Sequence, residues 1–159
     1  MKSAESQIVG RKTAAVLLFF ALTSLPPLQA PAAGQPDSPT ALEKTRGKAE
    51  AQHEIVVILL KKKEYERAVG EANKIFDMNW PEGQEPLLLK ELLILTDLFL
   101  KQGQASLGLQ IIEKNSNHFK RPASKIEILK ETGYLYKSLK QDEKALEYFQ
   151  KARDLESKN

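Results

Sequence analysis

The chain has 159 residues, 42% of them apolar and 28% charged, which suits one soluble-type domain with a real core. There is no cysteine, which excludes disulfides, thiol catalysis and cysteine-based zinc or iron–sulfur sites. The formal charge of +3 is uneven: without residues 1–32 it falls to +1, so no clustered basic face speaks for a nucleic-acid partner.

The first element is a leader. Lys2, Arg11 and Lys12 precede an uncharged run from Thr13 to Leu25; Pro26-Pro27 break it, and Ala30-Pro31-Ala32 follows. Basic region, short apolar region, breaker and small residues in A-x-A spacing form a secretory signal. Thirteen helical residues span roughly 20 Å, short of a ~30 Å hydrocarbon core. Residues 1–32 are therefore read as a signal peptide cleaved after Ala32, with Ala30 as the alternative site and an uncleaved membrane anchor as the rival reading. Residues 33–38 read as a flexible linker, and 39–159 as a helical domain.

Ser38-Pro39 predicts an N-cap and first turn, with an apolar stripe through Ala49, Gln52, Ile55, Val56, Leu59 and Leu60. Lys61-Lys62-Lys63 ends that helix with cations, which the macrodipole favours. A second helix is expected from Glu64 to Met78, then a loop through Trp80-Pro81. The strongly apolar stretch from Leu87 to Lys101 predicts a third helix, and Gly103 a turn into a fourth over Gln104–Asn115. After a loop, Ser124-Lys-Ile-Glu127 has capping-box spacing and opens a helix to about Leu139. Asp142 is the expected cap of the last helix, which runs to about Glu156. No segment shows strand periodicity.

These six helices form three similar hairpins. Aligned on the small residues Ala68, Gly108 and Ala145, the hairpins repeat at intervals of 40 and 37 residues. Nine residues before each stands a bulky apolar side chain (Leu59, Phe99, Tyr136). Four after stand Ala72, Ile112 and Phe149; seven after stand Ile75, Asn115 and Ala152. Small residues permit close helix approach, so Gly133 and Ala145 are expected to make the contact that Tyr136 and Phe149 fill.

With Gly133, Tyr136, Ala145, Phe149 and Ala152, the last hairpin resembles the tetratricopeptide (TPR) repeat. Residues 126–159 match well, 49–82 fairly and 89–122 weakly, with Thr96 in place of the glycine. The resemblance implies an all-α, short right-handed superhelix of about three repeats, whose first helices line a concave groove that binds a partner. Carried onto this sequence, the groove positions are Glu50, His53, Val57, Leu60 and Lys61; then Lys90, Leu93, Asp97, Leu100 and Lys101; then Glu127, Lys130, Tyr134 and Lys137. For Val57, Leu93 and Leu100, simple core packing is the alternative reading, an equal one for Leu93 and Leu100. Val57, Asp97 and Tyr134 stand where a chaperone-tail clamp needs Asn, Asn and Arg, which disfavours that branch of the family.

No catalytic constellation is legible. His53 and His118 stand far apart, His53 lacks an i, i+4 metal partner, and each is expected to be solvated or locally hydrogen-bonded. The carboxylates fall at surface spacing beside lysine or arginine, as in Glu64–Arg67. The expectation is a non-enzyme without cofactor or metal, in the periplasm or cell envelope of a bacterium, binding a peptide segment or helix of another protein. No nucleic-acid partner is expected, and membrane contact only through an uncleaved signal. The rival expectations are a self-associating scaffold, through an uncapped C-terminal stack end exposing Tyr148 and Leu155, and a lipid or small-ligand binder using the apolar groove.

Overall fold

In a computed structural model, residues 40–158 are described; the leader, its cleavage sites, the linker and the Ser38-Pro39 cap lie outside them. The described chain forms six α-helices and one 3-10 turn, without a strand: α1 (Ala41–Lys61), α2 (Tyr65–Phe76), α3 (Glu85–Lys101), α4 (Ala105–Asn115), α5 (Pro122–Ser138) and α6 (Asp142–Glu156), with the 3-10 turn at Ser116–His118. The helices pair in chain order, α1 with α2, α3 with α4 and α5 with α6. Between pairs, α2 meets α4, while α5 meets both α3 and α4.

The starts of α2, α3 and α4 lie within two residues of the sequence expectation, while the caps of α1, α5 and α6 differ from it, each for a local reason. Thr40 caps α1: its hydroxyl accepts from Glu43 N at 3.2 Å, and Glu43 Oε2 accepts from Thr40 N at 2.6 Å. Ser124 is no cap, because α5 already begins at Pro122, and the serine is buried within the first turn. The acceptor at that end comes instead from α3, where Glu85 Oε1 takes the Arg121 N–H at 2.9 Å. In α6 the N-cap is Gln141, and Asp142 is the first helical residue.

The three hairpin turns share one backbone pattern. Lys63, Gly103 and Lys140 all have left-handed φ, at 60°, 71° and 56°. Each donates its N–H three residues back, to Leu60, Leu100 and Lys137. The following residue donates five back, to Leu59, Phe99 and Tyr136, at 2.9–3.0 Å. These paired bonds satisfy the last carbonyls of the first helix. The acceptors of the second bond are the three bulky positions aligned from sequence. Four residues after each turn's last donor stand Ala68, Gly108 and Ala145, whose N–H groups bond to Glu64, Gln104 and Gln141. The sequence period is thus a period of backbone hydrogen bonding.

Only one of these turns has glycine at the left-handed position. A β-carbon there costs about 1–2 kcal/mol, part of which glycine returns as unfolded-chain entropy. Lys63→Gly and Lys140→Gly are each expected to stabilise by about 0.5–1 kcal/mol, and Gly103→Ala to destabilise by about 1 kcal/mol, read from urea midpoints. Loss of stability in both lysine variants would contradict the shared turn.

The core runs through all three pairs. Val56, Ala68, Ala72, Ile75, Leu92, Leu95, Phe99, Ile111 and Leu135 are fully buried. Two close approaches depend on missing side chains. A β-carbon on Gly133 would lie 2.8–3.0 Å from the Phe149 ring, and one on Gly108 would lie 3.1 Å from Leu135 Cδ2. Phe149 therefore fills the Gly133 gap as expected, and Ala145 and Ala152 are buried beside it. Tyr136 does something else. It stacks on Tyr148 with centroids 5.3 Å apart, Lys144 standing over its ring and Lys151 over that of Tyr148.

One polar pair is sealed between α2 and α4. Asn115 Nδ2 donates to Asn73 Oδ1 at 2.7 Å and to Ile111 O at 2.8 Å, and both asparagines are buried. Asn115→Ala strands the Asn73 carbonyl, so a loss of about 1–3 kcal/mol is expected in thermal or urea unfolding. An unchanged midpoint would mean that the pair is hydrated.

Candidate functional site

The first helices of the hairpins share a solvent face, and two clefts lie along it. The first, about 330 Å³, opens between α1 and α3 and is lined by Arg46, Ala49, Glu50, His53, Glu54, Trp80, Leu87, Lys90, Glu91 and Ile94. Trp80, in the α2–α3 loop, is held by α2, its Nε1 donating to Ile75 O at 2.8 Å. The second, shallower cleft lies between α3 and α5 and is lined by Asp97, Leu100, Glu131, Tyr134, Lys137 and Ser138.

Both clefts are bridged by polar contacts between first helices. His53 Nδ1 lies 2.6 Å from Glu91 Oε1, joining α1 to α3, so this histidine is neither free nor locally bonded as expected. The Thr96 hydroxyl, bonded to Leu93 O at 3.0 Å, also reaches Glu131 Oε1 at 2.8 Å and joins α3 to α5. Thr96 stands where the last hairpin has Gly133, and its hydroxyl makes this contact.

Glu131 carries the one upward-shifted carboxyl resolved among the described residues. Burial raises its proton affinity; the Thr96 hydrogen bond opposes this, and the Asp97 charge adds to it. The folded state therefore binds this proton more tightly than the unfolded chain. The contribution of Glu131 to stability falls as pH rises from about 4.3 through its folded pKa, and is level above it. Glu131→Gln keeps an acceptor for Thr96 and removes the titration. Its urea midpoint is expected to gain on the parent between pH 4 and 7, and parallel curves would contradict the assignment.

The residues expected to contact a partner divide into three groups. Lys90, with Glu50 and His53, lines the first cleft. Asp97, Leu100, Tyr134 and Lys137 line the second. The others lie outside both clefts. Leu60 is only 3% exposed and belongs to the core, so it offers nothing to a ligand. Val57 and Leu93 are half-buried, and Lys61 is exposed at the α1 C-terminus. Lys101 pairs with Asp97 at 2.6 Å. Lys130 is drawn towards α6, pairing with Glu127 at 3.2 Å and Glu156 at 3.6 Å.

Leu87, Glu91, Ile94 and Glu131 went unrecognised in the sequence. Ile94 is 38% exposed and Tyr134 55%, so each cleft has an apolar side chain open to solvent. Tyr134 stands edge-on to Phe149, centroids 5.1 Å apart, which fixes its ring.

No family model, curated protein or solved structure matches this chain. Among the described residues no three His, Asp or Glu side chains are grouped to hold a metal ion. No described helix is long and apolar enough to cross a membrane.

Proposed function

We propose that this chain is an exported, non-catalytic protein-interaction module of the bacterial envelope, built as a short TPR-like stack that holds a peptide segment or helix of a partner against its first helices. The observation that carries this reading is the shared face of α1, α3 and α5. There Leu87, Ile94 and Tyr134 stand open among charged groups, while the bulk of the apolar side chains are buried. Apolar anchors interleaved with charges suit an amphipathic segment better than a lipid tail, which would be faced by Arg46, Glu50, Glu54 and Lys90 in the first cleft.

Self-association through the C-terminal end has less support. Leu146 on α6 is 58% exposed, but on the same helix pair the Tyr136–Tyr148 stack is covered by two lysines.

The test is site-specific photo-crosslinking in the envelope fraction. Probes at positions 94 and 134 are expected to give a discrete adduct that a probe at Gln110, exposed on α4, does not give. Equal yields at all three positions, or none at the first two, would remove the proposal. Leu60 is unsuitable as a control position because its substitution would disturb the core.

A further inference from the structure

The outer face of α1, away from both clefts, carries a second pattern. Lys44, Lys48, Ala51, Ile55, Ile58 and Lys62 follow one another at intervals of four, three, four, three and four residues, the spacing of a coiled-coil seam. All six are exposed, Ile55 at 43% and Ile58 at 54%. Single exposed isoleucines need no explanation, but the hairpin period gives these two one. Ile55 corresponds to Leu95 and Thr132, and Ile58 to Leu98 and Leu135. Leu95, Thr132 and Leu135 are buried, and Leu98 is partly buried against the core. Leu135 shows what such a position packs on: it lies against Gly108, a small residue on the second helix of the preceding hairpin. Ile58 has the same place in its hairpin, and no described hairpin precedes it.

The charges around the seam decide between occupants. Lys44 and Lys48 flank the apolar centre at one end and Lys62 at the other. Among the described residues Lys44 and Lys48 make no ion pair, while Lys62 meets Glu64 at 3.0 Å. A second copy packed antiparallel about Ile55 would bring Lys48 opposite Lys62, and a parallel copy would bring each lysine against itself. Like charges across a helix interface are destabilising. A foreign helix with carboxylates at those levels meets attraction instead.

We infer that the outer face of α1 is a docking surface for an amphipathic helix of another protein, one with a Gly or Ala seated on Ile58 and Asp or Glu flanking its apolar seam at both ends. This surface is separate from the clefts of the first-helix face.

The probe is a synthetic helical peptide of about 21 residues with Ala and Leu along one seam and Glu at the flanks, beside an otherwise identical peptide with Lys at the flanks. Binding to the full chain is read by fluorescence anisotropy. The Glu peptide is expected to bind at least about tenfold more tightly than the Lys peptide, and to weaken several-fold between about 50 and 300 mM salt. Ile58→Glu should reduce its binding about tenfold or more. Lys48→Glu, a surface change with no packing role, should erode the preference for the Glu peptide. Because both positions are exposed, melting temperatures should stay within about 2 °C of the parent. Equal binding of the two peptides, no binding of either, or indifference to Ile58→Glu would overturn the inference. So would a dimer in sedimentation that Ile58→Glu dissolves, which would assign the face to a second copy.

Discussion

Phe99→Ala is expected to lose about 3–5 kcal/mol of folding stability. The ring is wholly buried at the end of α3, where its backbone carbonyl also accepts the turn bond from Gln104. Truncation removes the ring's transfer energy and leaves a void, because the surrounding helices are held by the turn and cannot fully collapse. Two comparisons sharpen the test. Phe99→Leu conserves most of the volume and should lose no more than about 1.5 kcal/mol. Tyr136→Ala alters the same position of the last hairpin, but Tyr136 is half-buried at the end of the stack and should lose clearly less than Phe99→Ala. Equal losses at 99 and 136 in chemical denaturation would contradict the placing of one ring inside the stack and the other at its edge.

Gly133→Leu is expected to lose about 3 kcal/mol through overcrowding. Its β-carbon alone would stand 2.8 Å from Phe149 Cε1, inside any ordinary contact distance, so α5 and α6 must separate or the ring must turn. Leucine is the better probe than alanine, because a Gly→Ala change within a helix regains about 0.5–1 kcal/mol of propensity and would mask part of the clash. The displacement should reach the second cleft as well, since Phe149 supports the Tyr134 ring edge-on. Removing the obstacle in the double variant Gly133→Leu/Phe149→Ala should make the losses non-additive by about 1 kcal/mol or more in the stabilising direction. Strictly additive losses would mean that the two side chains do not compete for the same space.

The sequence carried the helices well where their boundaries are written in local chemistry: Lys61-Lys62-Lys63 and Gly103 act within one turn of where they stand. The spacing of Ala68, Gly108 and Ala145 also survived, since close approach selects small side chains wherever helices touch. What depended on helix phase survived only in part: Glu50, His53, Lys90, Asp97, Leu100, Tyr134 and Lys137 do line the clefts, but other positions do not. In α3 the run from Leu87 to Leu95 is apolar on nearly every face, so nothing in it distinguishes Ile94, open to the first cleft, from Leu92, fully buried. Leu60 was misassigned for the opposite reason. The wide apolar surface of α1 includes two exposed isoleucines, and the true inward direction became visible only once α2 and α3 were in place. Contacts between distant helices, such as His53 with Glu91 and Thr96 with Glu131, leave no periodic trace because each joins residues 38 or 35 positions apart.

Neighbouring hairpins meet where one offers a small residue and the next a bulky one, and the Gly108–Leu135 contact between α4 and α5 is the clearest instance. The direct measurement is a double-mutant cycle with Gly108→Val and Leu135→Ala, by urea unfolding. Each single change should destabilise, the first by crowding and the second by leaving a cavity, and the double variant should recover about 1 kcal/mol or more relative to their sum. Additivity within about 0.3 kcal/mol would show that the two residues do not touch in solution, and that the hairpins are not stacked in this order.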